Sequence, residues 1–197
     1  DDSNLKKVFL WIKRCDGLIK EQSVSCYNSS NLDLLLDDLK KERNKPFNKT
    51  ALIKLFNKYG LYLVIEDALK GTKVRGCTKV VGDKPTIYMT CYLKEKSSFY
   101  FALYHELGHV KSDYNKAKSK VIIDGSDLLE QRADLFAVNQ MINKRTYDLI
   151  LQNFDDKEKI CKENNIPLCF LYSKLAHDRI IKYSDKLYLD SREKIDY

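Results

Sequence analysis

The sequence predicts an α+β fold, in which N-terminal helices precede a small three-stranded sheet and further helices follow it. Two changes in hydrophobic period support this prediction. Apolar residues recur at helical spacing before residue 61, strand-like runs occupy residues 61–92, and helical spacing returns near residue 97. A chain of 197 residues is long enough for a single domain with its own core.

The first sixty residues are predicted to form three helices, each with one apolar face. The residues of these faces are, in order, Leu5, Val8, Phe9, Leu10 and Ile12; Leu32, Leu34, Leu35, Leu36 and Leu39; and Phe47, Leu52, Ile53, Leu55 and Phe56. Gly60 is the stop signal of the third helix. Three strands are predicted at residues 61–65, 74–81 and 86–92, and a turn at Gly82-Asp83-Lys84-Pro85 separates the last two.

Two helices after the sheet are predicted to carry the candidate chemistry. The first is strongly apolar over residues 99–110, and Ser97 or Ser98 can cap its N-terminus. The second begins near Ser126 or Asp127 and its apolar pattern reaches as far as Met141. The two helices are expected to cross beside each other.

The tail from residue 147 onward is predicted to be mainly helical, with Pro167 as an interruption. We therefore divide the chain into residues 1–60, a helical N-terminal region packed on the core, and residues 61–197, which hold the sheet, the site and the tail. The chain starts with Asp1 rather than methionine, which suggests a fragment or a processed form.

Composition excludes several classes of protein. The net charge is +7, and the excess of basic residues lies in the first two thirds of the chain. This mild bias indicates a solvated surface rather than a nucleic-acid-binding stripe. The longest apolar run, near residues 99–104, is too short for a membrane span. The six cysteines form no C-x-x-C pair, which argues against a cysteine zinc site, and we interpret them as reduced thiols of a cytoplasmic protein.

One motif has a specific chemical interpretation: His105-Glu106-Leu107-Gly108-His109 has the pattern H-E-x-x-H within an apolar predicted helix. Residues four apart share one helix face, so both imidazoles can reach one metal ion. Glu106 is roughly 100° further round the helix, where it can face a metal-bound water as a general base. A surface helix with incidental histidine and glutamate is the alternative, and the apolar context disfavours it.

A catalytic zinc site also needs a third protein ligand and an open position. A downstream carboxylate is the natural candidate, and Glu130 and Asp134 lie on one predicted helix face. Glu130 follows His109 by 21 residues, which leaves room for a turn back to an adjacent helix. Asp134 could then accept a hydrogen bond from the far nitrogen of a ligand histidine, or serve as the third ligand if Glu130 does not. A solvated face beside Arg132 is the other interpretation, which the apolar residues 135–138 disfavour.

The segments 101–110 and 130–137 resemble the ImmA/IrrE metallopeptidases, whose pattern is H-E-L-G-H followed by E-x-x-A-[ND]-x-F-A. Residues 69–76 and 85–92 are similar to the subgroup that carries an XRE-type helix-turn-helix and is often described as HigA-like antitoxins. The resemblance is strongest over residues 97–141 and weak after residue 150.

This resemblance implies a zincin-like peptidase core of the gluzincin type. The zinc ligands that it implies are His105, His109 and Glu130. It also implies that Glu106 is the general base, and Asp134 stands where the family has Asn or Asp. The sequence departs from the family at Lys111-Ser112-Asp113, which replaces an apolar continuation. The basic loop that follows could frame the cleft, but we favour the interpretation that it is only solvated.

Three hypotheses about function follow. The first is a zinc-dependent endopeptidase, and the resemblance suggests that its substrate is a regulatory protein such as a transcriptional repressor. The second is a non-catalytic, antitoxin-like or sensor module that retains the peptidase fold, which the intact Glu106 disfavours because metal binding alone does not need this residue. The third is a secreted toxin protease. We expect no membrane partner and no direct DNA binding, since the chain contains no helix-turn-helix with basic recognition residues.

The remaining site predictions concern substrate binding. The substrate is expected to lie extended against an edge strand at residues 86–92. His177, the one histidine outside the motif, is a candidate for stabilising the developing oxyanion. Tyr88 and Tyr104 are alternatives because they lie close in sequence to the expected cleft.

Overall fold

The computed structural model describes residues 2–123 and 128–195, and it is a mixed α+β structure. The helices are α1 (Asp2–Leu18), α2 (Asn31–Glu42), α3 (Lys49–Lys58), α4 (Lys96–Ser112), α5 (Tyr114–Ser119), α6 (Leu128–Met141), α7 (Lys144–Gln152), α8 (Lys157–Glu163), α9 (Leu168–His177) and α10 (Lys186–Ser191). The strands are β1 (Tyr62–Ile65), β2 (Gly76–Val81), β3 (Lys84–Met89) and β4 (Ile122–Ile123). Short 3-10 turns follow α1 and α7, at Ile19–Glu21 and Phe154–Asp156.

Within residues 2–123 and 128–195 the sheet has four strands in the order β1-β3-β2-β4, so the prediction of three strands is wrong. β1 runs parallel to β3, whereas β2 is antiparallel to both β3 and β4. The additional strand, β4, comprises two of the described residues, and it pairs Cys77 with Ile123 and Thr78 with Ile122. So short a strand has no alternating pattern of its own that the sequence could show.

Helices cover both faces of the sheet because successive strand residues point to opposite sides. Leu63 and Ile65 of β1 belong to the larger core, which α2, α3, α4 and the helices after the sheet build. Val64 lies between them in sequence and packs in the smaller core with α1, whose Trp11 is almost completely buried. α1 therefore covers the face of the sheet opposite to α4.

The three predicted N-terminal helices are confirmed, and their side chains pack in these two cores together with side chains of the sheet. Gly60 follows α3 with a φ of 89°, and a side chain there would collide with the backbone of Tyr27 at 2.5 Å. Glycine at this position therefore permits both the left-handed turn into β1 and the close approach of residues 26–27. The division of the chain at residue 60 stays a prediction.

The candidate site is located on α4 and α6. α4 begins after Glu95 and receives no side-chain cap, so the predicted caps Ser97 and Ser98 lie inside the helix. The C-terminal end of the chain supports its first turn, because Lys96 Nζ lies 2.6 Å from the carboxylate of Glu193. α6 begins at Leu128 in the structure, and the predicted starting point at residues 126–127 lies outside the described residues.

Two further findings concern the sequence predictions. All six cysteines are thiols in the structure, and Cys26 alone among them is exposed. Across the described residues, no helix combines the length and apolar character that a membrane crossing needs.

Candidate metal centre

A close antiparallel packing of α4 against α6 builds the site. Gly108 is the point of closest approach, since a Cβ atom there would lie 3.0 Å from Cα of Ala133. His105 meets Asp134 and His109 meets Glu130, so the two helices run in opposite directions. The glycine of the motif thus brings both ligand-bearing helices together at short range.

Two imidazole nitrogens and both carboxylate oxygens of Glu130 face one another between these helices. Nε2 of His105 lies 3.1 Å from Oε2 of Glu130 and 3.1 Å from Nε2 of His109. Nε2 of His109 lies 3.4 Å from the other oxygen of Glu130, Oε1. All three residues are buried. This buried group of two imidazoles and one carboxylate could hold a metal ion.

Each histidine also contacts a carboxylate through its other ring nitrogen. Nδ1 of His105 lies 2.9 Å from Oδ1 of Asp134, and Nδ1 of His109 lies 3.0 Å from Oδ2 of Asp113. A neutral imidazole that donates its proton from Nδ1 presents a lone pair at Nε2. Both lone pairs then point toward the negative carboxylate of Glu130, and a cation between them would offset the repulsion.

Sequence reasoning missed Asp113, which it noted only as part of a departure from the family pattern. In the structure α4 continues to Ser112, and Asp113 is only 6% exposed. Its Oδ1 accepts a hydrogen bond from Nη2 of Arg132 at 2.9 Å, while Oδ2 faces His109. The signal was present in the sequence, because Asp113 follows His109 by four residues and a helical spacing of four places both residues on the same side.

Glu106 points from α4 toward the sheet rather than toward α6. Thr78 Oγ1 donates a hydrogen bond to Oε2 of Glu106 at 2.6 Å. Gly76, two residues earlier on β2, leaves the space for this carboxylate, since a Cβ atom there would lie 2.8 Å from Oε1. Glu106 is 2% exposed, and β2 therefore fixes the orientation of its carboxylate.

The structure does not bring Tyr88 or Tyr104 to the surface where a substrate could reach them. Both are completely buried, and burial raises the pKa of both hydroxyls. Tyr88 packs on the α1 side of the sheet and donates to Asp16 at 2.6 Å. Tyr104 accepts a hydrogen bond from Nη1 of Arg43 at 3.3 Å. Proximity in sequence misled the prediction, because neighbouring residues of a strand or helix point in different directions.

His177 lies at the far end of α9, away from the three ligands. Ser173 contacts Ser97 and Phe170 contacts Tyr100, so α9 runs antiparallel to α4. His177 therefore lies beyond the N-terminal end of α4. His105 lies in the opposite direction, about 12 Å along α4 from Ser97, because eight residues separate them. The side chain of His177 is 77% exposed and contacts the carboxylate of the adjacent Asp178.

The expected substrate strand is also wrong. β3, which covers most of residues 86–92, is central and pairs with β1 on one side and β2 on the other. Its main chain therefore has no open edge for an extended peptide. The order of strands is a long-range property that the local pattern of residues 86–92 does not contain.

These residues combine a possible metal-binding group with an oriented carboxylate on the adjacent face of the same helix. The three ligand candidates come together, as do Asp134 and Asp113 behind them, whereas Tyr88, Tyr104 and His177 do not. Comparison of the chain with protein-family models, with curated proteins and with solved structures gave no match.

Proposed function

We propose that this protein is a zinc-dependent endopeptidase. The observation that carries the proposal is the buried group of His105, His109 and Glu130, whose potential ligand atoms lie 3.1–3.4 Å from their neighbours. Further support comes from Glu106, which follows the first ligand in the H-E-x-x-H motif and is required by hydrolysis but not by metal binding. The resemblance to the ImmA/IrrE metallopeptidases and a zincin-like core belong to the same proposal.

The donor set favours zinc over other ions. Two imidazoles and one carboxylate form the protein half of a hydrolytic zinc site, with the fourth position left for water or substrate. In a tetrahedral site with bonds of about 2.0–2.1 Å, neighbouring ligand atoms lie about 3.3 Å apart. The distances between neighbouring ligand atoms in the buried group, 3.1–3.4 Å, match this spacing. Magnesium and calcium prefer sites made of oxygen atoms, which this group is not.

The proposed reaction is the hydrolysis of a peptide bond, in which a C–O bond forms and the C–N bond breaks. Zinc, when bound, would supply a Lewis acid that polarises the scissile carbonyl and lowers the pKa of water. Glu106 would accept a proton from the attacking water at its carboxylate and deliver it to the nitrogen of the leaving amine. The hydrogen bond from Thr78 would hold this carboxylate in place before substrate binds.

The proposal assigns the substrate to the β4 side of the sheet. Among the described strands, β1 and β4 are the outer ones. Side chains occupy the outer side of β1, where Gln22 donates to the carbonyl of Leu63. β4 pairs with β2 next to Thr78, which contacts Glu106. An extended peptide on β4 would therefore lie near the general base, and the resemblance suggests a regulatory protein, such as a repressor, as its source.

A pair of glutamate variants tests this function. The zinc-loaded chain is assayed for cleavage of a mixed library of unstructured peptides by mass spectrometry. Glu106→Gln should retain zinc and lose at least about 100-fold of the activity, which is the lower range for a general base. Glu163→Gln makes the same chemical change at an exposed position on α8 and should match the parent.

Cleavage that survives in Glu106→Gln would contradict the role of this residue. A chain that binds one zinc ion but cleaves no peptide would contradict the proposed function and would favour the non-catalytic module instead.

A further inference from the structure

We propose that Asp113 and Arg132 are positioning residues that fix the tautomer and orientation of His109 and thereby set the affinity of the centre for zinc. The inference rests on the proposed zinc site, but it concerns contacts that exist in the chain itself. It extends the site by a second helix-to-helix connection, from Arg132 on α6 to the residue that follows α4.

The first step of the argument is the use of both oxygens of Asp113. Oδ2 lies 3.0 Å from Nδ1 of His109, and Oδ1 lies 2.9 Å from Nη2 of Arg132. A buried carboxylate is costly unless charged or polar partners satisfy it. The guanidinium group satisfies one oxygen and holds the carboxylate in one rotamer, so that the second oxygen is directed at the imidazole.

The second step is the effect on His109. A ring that donates from Nδ1 to a carboxylate has its lone pair at Nε2, which is the atom that faces His105 and Glu130. Loss of this acceptor would remove the preference for the Nδ1–H tautomer and the restraint on ring rotation. Nε2 of His109 would then be a weaker ligand and would be held less firmly in the orientation that a metal ion needs.

The third step is a comparison with the other histidine. Asp134 contacts Nδ1 of His105 in the same way, but its side chain is 56% exposed. The side chain of Asp113 is only 4% exposed. Water can replace the acceptor at Asp134, whereas no such replacement is easy at the buried Asp113. His109 should therefore depend more strongly on Asp113 than His105 depends on Asp134.

The experiment measures zinc affinity and histidine tautomer in the same set of full-length variants. Affinity is obtained by competition with a chelator, and the tautomer of His109 is read from ¹⁵N chemical shifts of the metal-free protein under mildly alkaline conditions. Asp113→Asn should weaken zinc binding about 10–100-fold. It should also shift His109 away from the Nδ1–H tautomer.

Graded variants separate positioning from mere support of the fold. Asp134→Asn should weaken binding less than Asp113→Asn. Arg132→Gln should give an intermediate loss, and Arg132→Lys should recover part of it by restoring a cation beside Oδ1. Asp190→Asn on α10 makes the same change as Asp113→Asn at an exposed position and should match the parent.

The outcomes distinguish this inference from the proposed function. A parent chain that binds no zinc would remove the proposed function itself. A parent that binds zinc, with unchanged affinity and tautomer in Asp113→Asn, would overturn the inference alone. Weaker binding with an unchanged His109 tautomer and a lower unfolding temperature would also overturn it, because the role of Asp113 would then be structural.

Discussion

Replacing Gly108 with alanine tests the close contact between the two helices that carry the proposed ligands. The added Cβ would lie 3.0 Å from Cα of Ala133, 3.3 Å from its Cβ and 3.3 Å from Cδ1 of Phe136. The nearest of these atoms belongs to the backbone of α6, which cannot rotate away. The methyl group must therefore push α4 and α6 apart.

The magnitude follows from two opposing effects. Alanine is favoured over glycine inside a helix by about 0.8–1.0 kcal/mol. Overpacking by an extra methyl group costs about 1–3 kcal/mol. Gly17→Ala in α1 is the matched control, because nothing lies within 4 Å of a Cβ atom there. Gly17 lies in the last turn of α1, so the control retains only part of the gain in helix propensity and has no collision. The two variants should therefore differ by up to about 1–3 kcal/mol in the free energy of unfolding.

Chemical denaturation of the metal-free variants measures this difference, and a zinc competition assay accompanies it. We expect Gly17→Ala to be slightly more stable than the parent and to bind zinc equally well. Gly108→Ala should be less stable than the control and should bind zinc more weakly, since Glu130 moves relative to both histidines. Equal stability of the two variants, together with parental zinc affinity in Gly108→Ala, would refute the close packing that we describe.

Two further predictions concern the fold around the site. Burial acts to raise the pKa of Asp16, but hydrogen bonds from Lys79 and Tyr88 outweigh it and hold this pKa below its ordinary value. A carboxyl group with a lowered pKa stabilises the fold above its ordinary pKa and loses this contribution as the pH falls through the folded-state value. Asp16→Asn should therefore destabilise the protein at neutral pH, and urea titrations should show the deficit shrinking toward acidic pH. A constant deficit would contradict this linkage. The second prediction is that Cys26 reacts fastest with a thiol reagent, because burial raises the pKa of the Cys15 thiol to about 12, and equal rates for all thiols in the folded protein would contradict the burial pattern.

Local patterns in the sequence predicted the elements that have a strong period of their own. The helices α1 to α4 and the first three strands occur where the apolar residues predicted them, with shifts of a few residues at their ends. Glu130 could be predicted as a ligand candidate because one short helix contains two carboxylates at helical spacing, Glu130 and Asp134. The motif predicted that His105 and His109 lie close together, since residues four apart share one side of α4.

What failed depended on contacts that are distant in sequence. The central position of β3 follows from its pairing with β1 and β2, and nothing within the strand reports this order. The ion pair of Asp113 with Arg132 joins residues that are 19 positions apart, so the local pattern does not show it, although the spacing from His109 to Asp113 does show their proximity. His177 was considered because histidine is rare in this chain, but rarity contains no information about where α9 places the residue.

The most direct test of the central claim is the zinc content of the chain and of one ligand variant. Both proteins are incubated with zinc, dialysed and measured by elemental mass spectrometry, with Glu163→Gln as an exposed control. The account predicts one zinc ion per chain for the parent and the control, and loss of most of the metal in Glu130→Ala. A parent without zinc would contradict the proposed centre. A zinc content in Glu130→Ala equal to that of the parent would show that Glu130 is not the third ligand, and Asp134 would become the first alternative.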